Sequence, residues 1–102
     1  MVGVGKFIKQ AQKMQKKMEL VQQELKNKVI AYSAGGGAVN VKVNGHGDAL
    51  ELKIDGEFLK EEKTVVEETI LEAFRQALSE ARKINSQATQ EVSGGLDLPF
   101  AL

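Results

Sequence analysis

The feature that most constrains this chain is a seam of six residues near its N-terminus. Phe7, Ala11, Met14, Met18, Val21 and Leu25 recur at spacings of 4, 3, 4, 3 and 4. One apolar residue per turn marks a helix that packs along its length on another helix. The spacing predicts a helix from about Val4 to Lys28. Between the seam residues lie Gln, Lys and Glu, which favour the helix, and no proline interrupts it. A second stripe runs opposite the seam: Lys6, Lys9, Lys13 and Lys16 are spaced 3, 4 and 3. Such a stripe is either a plain solvated face or a surface for an anionic partner.

Three short strands are expected next. Val29 to Ser33 is rich in strand formers, and Ala34-Gly35-Gly36-Gly37 then breaks the chain. Val39, Val41 and Val43 alternate with Asn40, Lys42 and Asn44, and Leu50, Leu52 and Ile54 alternate with Glu51, Lys53 and Asp55. Period-two alternation is the mark of a half-buried strand. Gly45-His46-Gly47 is expected to supply the positive φ values of a hairpin turn. A two-residue loop would pair Val41 with Leu50, and a four-residue loop would pair Val43 with Leu50. Both keep the apolar residues on one face, so the pattern does not choose between them.

A second long helix is expected from near Thr64, where Thr64 and Glu67 have the spacing of a capping box. Val66, Ile70, Ala73, Phe74, Ala77, Ala81, Ile84 and Ala88 then mark its apolar stripe. The element order is α-β-β-β-α, an α+β fold with a three-stranded, mainly antiparallel sheet. Helices of about 25 residues run ~37 Å, while strands of five to seven residues run only ~17–24 Å. The helices must overhang the sheet, and the overhanging seams must cover each other or a second subunit.

The 102 residues suit a single domain, assigned to residues 1–92. Residues 93–102, which include Gly94-Gly95 and Pro99, have no periodicity and are expected to form a flexible tail. With no cysteine, neither disulfides nor thiolate metal sites can reinforce so small a core, which leaves oligomerisation. No apolar run approaches the roughly 20 residues of a membrane span. Met1 to Gln10 lacks the apolar stretch of a secretory signal, so a cytoplasmic location and no membrane partner are expected.

The net charge is zero, but the charge is segregated. Residues 1–28 carry seven lysines against Glu19 and Glu24, a net of +5, whereas residues 47–72 carry nine acids against three lysines, a net of −6. A field can therefore focus on one surface. No catalytic pattern is present, and no metal or cofactor is expected: the one histidine, His46, sits in a turn, and the Gly35–Gly37 run precedes a strand rather than a helix. Lysine outnumbers arginine 12 to 2. Lysine meets phosphate as a point charge, so a nucleic acid would be held by its backbone with weak sequence preference.

Several segments together resemble the YbaB/EbfC family of bacterial nucleoid-associated proteins. Ile8-Lys9-Gln10-Ala11-Gln12-Lys13-Met14-Gln15 is similar to that family's opening. The run from Ala34 to Gly45 resembles its glycine-rich turn, Val-alternating strand and Asn-Gly. Leu52-Lys53-Ile54-Asp55 resembles the end of its third strand, although Gly56 stands where the family pattern continues with proline. Gly94-Gly95-Leu96-Asp97-Leu98-Pro99 is similar to its tail. The resemblance implies an α-β-β-β-α homodimer joined around its sheets. Paired helices would project from it like the arms of tweezers, and DNA binding is ascribed to those arms. It carries no catalytic residues.

The function expected on these grounds is that of a DNA-binding, nucleoid-associated homodimer. Lys6, Lys9, Lys13, Lys16 and Lys17 are the leading phosphate contacts, with Arg75, Arg82 and Lys83 of the second helix as secondary candidates. The alternative is a protein-interaction adaptor linked to the replication or recombination machinery, with incidental DNA binding; zero net charge and a pI near 6.6 favour that rival.

Overall fold

The computed structural model describes residues 2–93, with side chains described for residues 3–92. The order is α1 (Val2–Asn27), β1 (Val29–Ala34), β2 (Val39–Asn44), β3 (Ala49–Ile54), a short 3-10 turn at Phe58–Lys60, and α2 (Lys63–Ser93). β2 is central, flanked by β1 and β3, and both pairings are antiparallel. Of the expected tail, Ser93 is the last residue of α2, and residues 94–102 lie outside the described part.

The valines of β2 are the centre of the core. Val39, Val41 and Val43 are fully buried, and Ile30, Tyr32 and Ala34 of β1 stand opposite them in register. Ala73, Ala77 and Ala81 of α2 close on this surface and are equally buried. Alanine leaves little side chain between helix axis and sheet, so the valines meet α2 at close range. The other expected residues of the α2 stripe, Val66, Ile70, Phe74, Ile84 and Ala88, are half-buried.

The body of the β2–β3 hairpin takes the register of the longer-loop alternative: Val39 faces Ile54, Val41 faces Leu52 and Lys42 faces Glu51. The pairing then shifts so that Val43 faces Ala49, which leaves Leu50 as the extra residue of a bulge. The turn is organised by Asn44, the one buried polar residue of the described chain. Its Oδ1 accepts the N–H groups of His46 and Asp48, each at 2.9 Å, and its Nδ2 donates to Asp48 Oδ2 at 2.9 Å. A side-chain amide thus does the work of a backbone turn.

The structure corrects two expectations. Within Gly45-His46-Gly47 only Gly47 has a positive φ, at 87°. Gly45 is required for another reason, close approach: its N–H donates to the Leu25 carbonyl at 2.7 Å, and a Cβ there would lie 2.6 Å from that oxygen. At the second helix, α2 begins at Lys63, so Thr64 falls inside the first turn rather than at the cap. The Val66 N–H donates to the Glu62 carbonyl at 3.1 Å, and that backbone bond starts the helix one residue earlier than Thr64 would.

The molecule measures 72 × 23 × 16 Å with a radius of gyration of 19.6 Å. A rounded domain of this length would have a radius near 13 Å. The excess is the helical overhang. Leu25, at the sheet end of the α1 seam, is buried; Val21, Met18 and Met14 are half-buried, while Ala11 and Phe7 are exposed. Burial therefore fades along the seam as α1 leaves the sheet.

Candidate nucleic-acid interface

α1 displays its lysines because the seam turns the opposite face to solvent. Lys6, Lys9, Lys13, Lys16 and Lys17 are all exposed. Among the described residues the ion pairs are Lys42–Glu51, Lys53–Glu51 and Lys60–Glu57, and none involves these five lysines. Among the described residues their charge is unpaired. Lys9, Lys13 and Lys16 share one open groove with Gln12, Gln15 and Glu19. Gln12 and Gln15 are additional hydrogen-bond donors within reach of whatever occupies that groove. Charge spacing alone does not single them out, because uncharged residues between lysines carry no charge signal.

The secondary candidates stand elsewhere. Arg75, Arg82 and Lys83 are exposed on α2. Arg82 lines a cleft of about 440 Å³ between α2 and the β2–β3 turn, beside His46, Asn85 and Ser86. Arg75 lies near Tyr32, Gln76 and Ser79. Gly45 fixes the axial level of the two helices, because its N–H meets Leu25 and its carbonyl accepts Asn85 Nδ2 at 3.3 Å. Counting along the helices from that level at 1.5 Å per residue, Arg82 is roughly 16 Å from Lys17 and Arg75 roughly 27 Å. Within one protomer, the α1 stripe and the α2 arginines are not one cluster. By the same count, the acidic start of α2 around Glu68 is roughly 44 Å from Lys13. The two charge blocks of the sequence extend in opposite directions along the long axis from the level of Gly45.

A second surface is apolar. α2 lies mainly over β1 and β2; on β3 Ile54 packs against the core, while Leu50 and Leu52 remain 51% and 44% exposed. Leu71 is 45% exposed. It lies on the same flank of α2 as Leu78, which approaches Gly47 at the β2–β3 turn. Strand alternation predicts one buried sheet face; on the third strand that face is open at Leu50 and Leu52 and closed at Ile54.

Residues 1–96 match the YbaB/EbfC DNA-binding family. The chain belongs to that family. Similar curated proteins agree: a nucleoid-associated protein of Desulfotalea psychrophila is 36% identical over 99 residues, covering 96% of this chain and 93% of its own. A nucleoid-associated protein of Acetivibrio thermocellus is 39% identical over 95 residues, covering 92% of this chain and 84% of its own. Among solved structures, an uncharacterized protein of Helicobacter pylori shares the fold with a TM-score of 0.67 at 22% identity, covering 76% of this chain and 90% of its own. For a YbaB/EbfC member, the α1 lysine face and the open β3 face are the two surfaces that need explaining. Among the described residues no group of His, Asp and Glu is placed to hold a metal, and no helix is long and apolar enough to cross a membrane.

Proposed function

We propose that this chain is a nucleoid-associated protein that grips duplex DNA as a homodimer. Lys6, Lys9, Lys13, Lys16 and Lys17 contact phosphates, and sequence preference is weak. The observation that carries the reading is the exposed lysine stripe, outside the ion pairs of the described residues, on a helix that projects from the sheet with its apolar seam turned the other way. From Lys6 to Lys16 the stripe spans ~15 Å, long enough to follow several phosphates. The location that goes with this function is the nucleoid, within the cytoplasm.

The dimer is proposed to form through the open β3 face. Leu50, Leu52 and Leu71 are large apolar side chains left exposed beside a modest core, and a two-fold partner presents the same residues in return. Pairing there leaves the two α1 helices free as arms. Arg75, Arg82 and Lys83 then serve as outlying phosphate contacts, since neither arginine lies beside the stripe of its own protomer.

A salt titration of DNA binding tests the reading. If each arm uses two to four lysines, the dimer neutralises about 4–8 phosphates, and log K should fall against log salt with a slope of roughly −4 to −7. Scrambling the DNA sequence should change affinity little. Negligible affinity near physiological salt, with no slope, would instead favour the adaptor linked to replication or recombination machinery.

A further inference from the structure

The cleft of about 440 Å³ between α2 and the β2–β3 turn lies within the size of small-molecule sites, roughly 300–1,000 Å³. Its helix wall is Leu78, Ala81, Arg82, Asn85 and Ser86, whose spacing places them on one face of α2. Its other wall is Gly45-His46-Gly47. Gly45 is required by its approach to Leu25 and Gly47 by its φ of 87°, so His46 is the one side chain the turn brings to the cleft. Asn85 ties the walls together: its Nδ2 donates to the Gly45 carbonyl at 3.3 Å, and its Oδ1 accepts from Thr89 Oγ1 at 3.4 Å. The cleft is therefore preformed.

What remains free in it is donors. The backbone N–H groups of the turn are spent, Gly45 on the Leu25 carbonyl, His46 on Asn44 Oδ1 and Gly47 on the Asn44 carbonyl. The side chains of Arg82, Ser86 and His46 take part in none of the hydrogen bonds or ion pairs of the described residues. None of the described residues lining the cleft is acidic. A guanidinium fork, a hydroxyl and an imidazole around one space, with no carboxylate to balance them, suit an oxyanion. Three separate donors favour phosphate, whose terminal oxygens outnumber those of a carboxylate. Leu78 and Ala81 add an apolar surface that a phosphate group alone would not use, and a sugar or base attached to it would.

We propose that this cleft binds a nucleoside monophosphate. Arg82 pairs with the phosphate, Ser86 and His46 donate to its remaining oxygens, and the nucleoside lies against Leu78 and Ala81. The same terminal phosphate can arrive on a free nucleotide or on a phosphorylated DNA strand end. The site gives Arg82 a ligand of its own and stands whether or not the α1 stripe grips duplex DNA.

Titration of the full chain with adenosine monophosphate, followed by NMR, tests it. The resonances of His46, Gly47, Ser86 and the Arg82 side chain should shift together and saturate, and adenosine without its phosphate should leave them in place. Arg82→Gln keeps a good helix former and removes the fork. Affinity for the nucleotide should then fall roughly tenfold, as a charge-assisted pair is lost. The Lys9→Gln/Lys13→Gln/Lys16→Gln variant should bind the nucleotide as the wild type does, which separates this site from the duplex-binding surface. No saturable shift at the cleft with millimolar nucleotide, or unchanged affinity in Arg82→Gln, would overturn the proposal. Inorganic phosphate binding as tightly as the nucleotide would overturn the role of Leu78 and Ala81. A duplex with phosphorylated ends, set against the same duplex with hydroxyl ends, identifies the source. If the phosphorylated ends move the cleft resonances at lower concentration than the free nucleotide does, the strand end is the ligand; otherwise it is the free nucleotide.

Discussion

The Gly45 N–H donates to the Leu25 carbonyl at 2.7 Å, and this contact joins the projecting helix to the central hairpin. It works only because Gly45 has no side chain: a Cβ would lie 2.6 Å from the same oxygen and 2.9 Å from Leu25 Cδ2. Neither neighbour can give way cheaply, since one is backbone and the other is the buried end of the seam. Gly45→Ala should therefore cost about 1–3 kcal/mol through overpacking. Thermal unfolding followed by circular dichroism should show a drop of several degrees. Gly56→Ala, where nothing lies within 4 Å and φ is not positive, is the control and should leave the midpoint within about 2 °C.

Asn44 governs the adjoining turn, and its replacement should be costly in a way its side-chain size does not suggest. Asn44→Ala strips the acceptor from two backbone N–H groups, those of His46 and Asp48. Losing two such hydrogen bonds at a part-buried turn costs about 1–3 kcal/mol. Asn44→Asp keeps the acceptor but turns a carboxylate oxygen toward Asp48 Oδ2, where the amide donated. Both variants should melt below the wild type, and chemical denaturation can rank them.

Burial along the α1 seam grades from Leu25 outward, and stability should grade with it. Leu25→Ala should cost about 2–4 kcal/mol, because Leu25 is 3% exposed and a cavity remains. Met14→Ala, at a half-buried position, should cost clearly less. Equal losses in a denaturant titration would mean that the seam is covered evenly along its length.

The parts of the fold that were legible in the sequence are those set by period. The 4-3-4-3-4 seam gave α1, and the alternating valines gave β2. The small residues of α2 showed where a helix could come close to a sheet. The parts that were not legible are those decided by contact across the fold. The hairpin register followed from the bulge at Leu50, which no local pattern marks. The glycines at 45 and 47 look alike in sequence, yet one answers to a neighbouring helix and the other to its own φ. The start of α2 lay one residue before the expected cap, because a backbone bond from Val66 to Glu62 decided it. For the candidate site, the lysine spacing placed the stripe opposite the seam. The separation of Arg75 and Arg82 from that stripe depends on how α1 and α2 slide past each other, and Gly45 sets that.

The open β3 face should be an assembly surface rather than part of the core. Leu52 is 44% exposed in the protomer, so Leu52→Asp adds a charge at a position water already reaches. In a two-fold interface the same change would bury two like charges against each other without partners. Sedimentation velocity at micromolar concentration should show a dimer for the wild type and a folded protomer of about 11 kDa for the variant. A variant that stays dimeric would move the interface off β3.

The lysine stripe gives the sharpest test of how DNA is held. Lys9, Lys13 and Lys16 share one groove on the exposed face of α1, and replacing all three with Gln keeps good helix formers at each position. None of the three takes part in the ion pairs of the described residues, so the fold and the melting midpoint should be unaffected. The change removes six charges per dimer. Affinity should fall by a similar factor on every duplex tested, because phosphate contacts carry no base information. The slope of log K against log salt should become shallower by about 0.9 for each phosphate that is no longer neutralised. Gln12→Ala/Gln15→Ala, in contrast, should weaken binding without changing the slope, since neither residue releases a counterion. A folded triple variant that binds with the wild-type slope would remove α1 as the contact surface and turn attention to Arg75, Arg82 and Lys83.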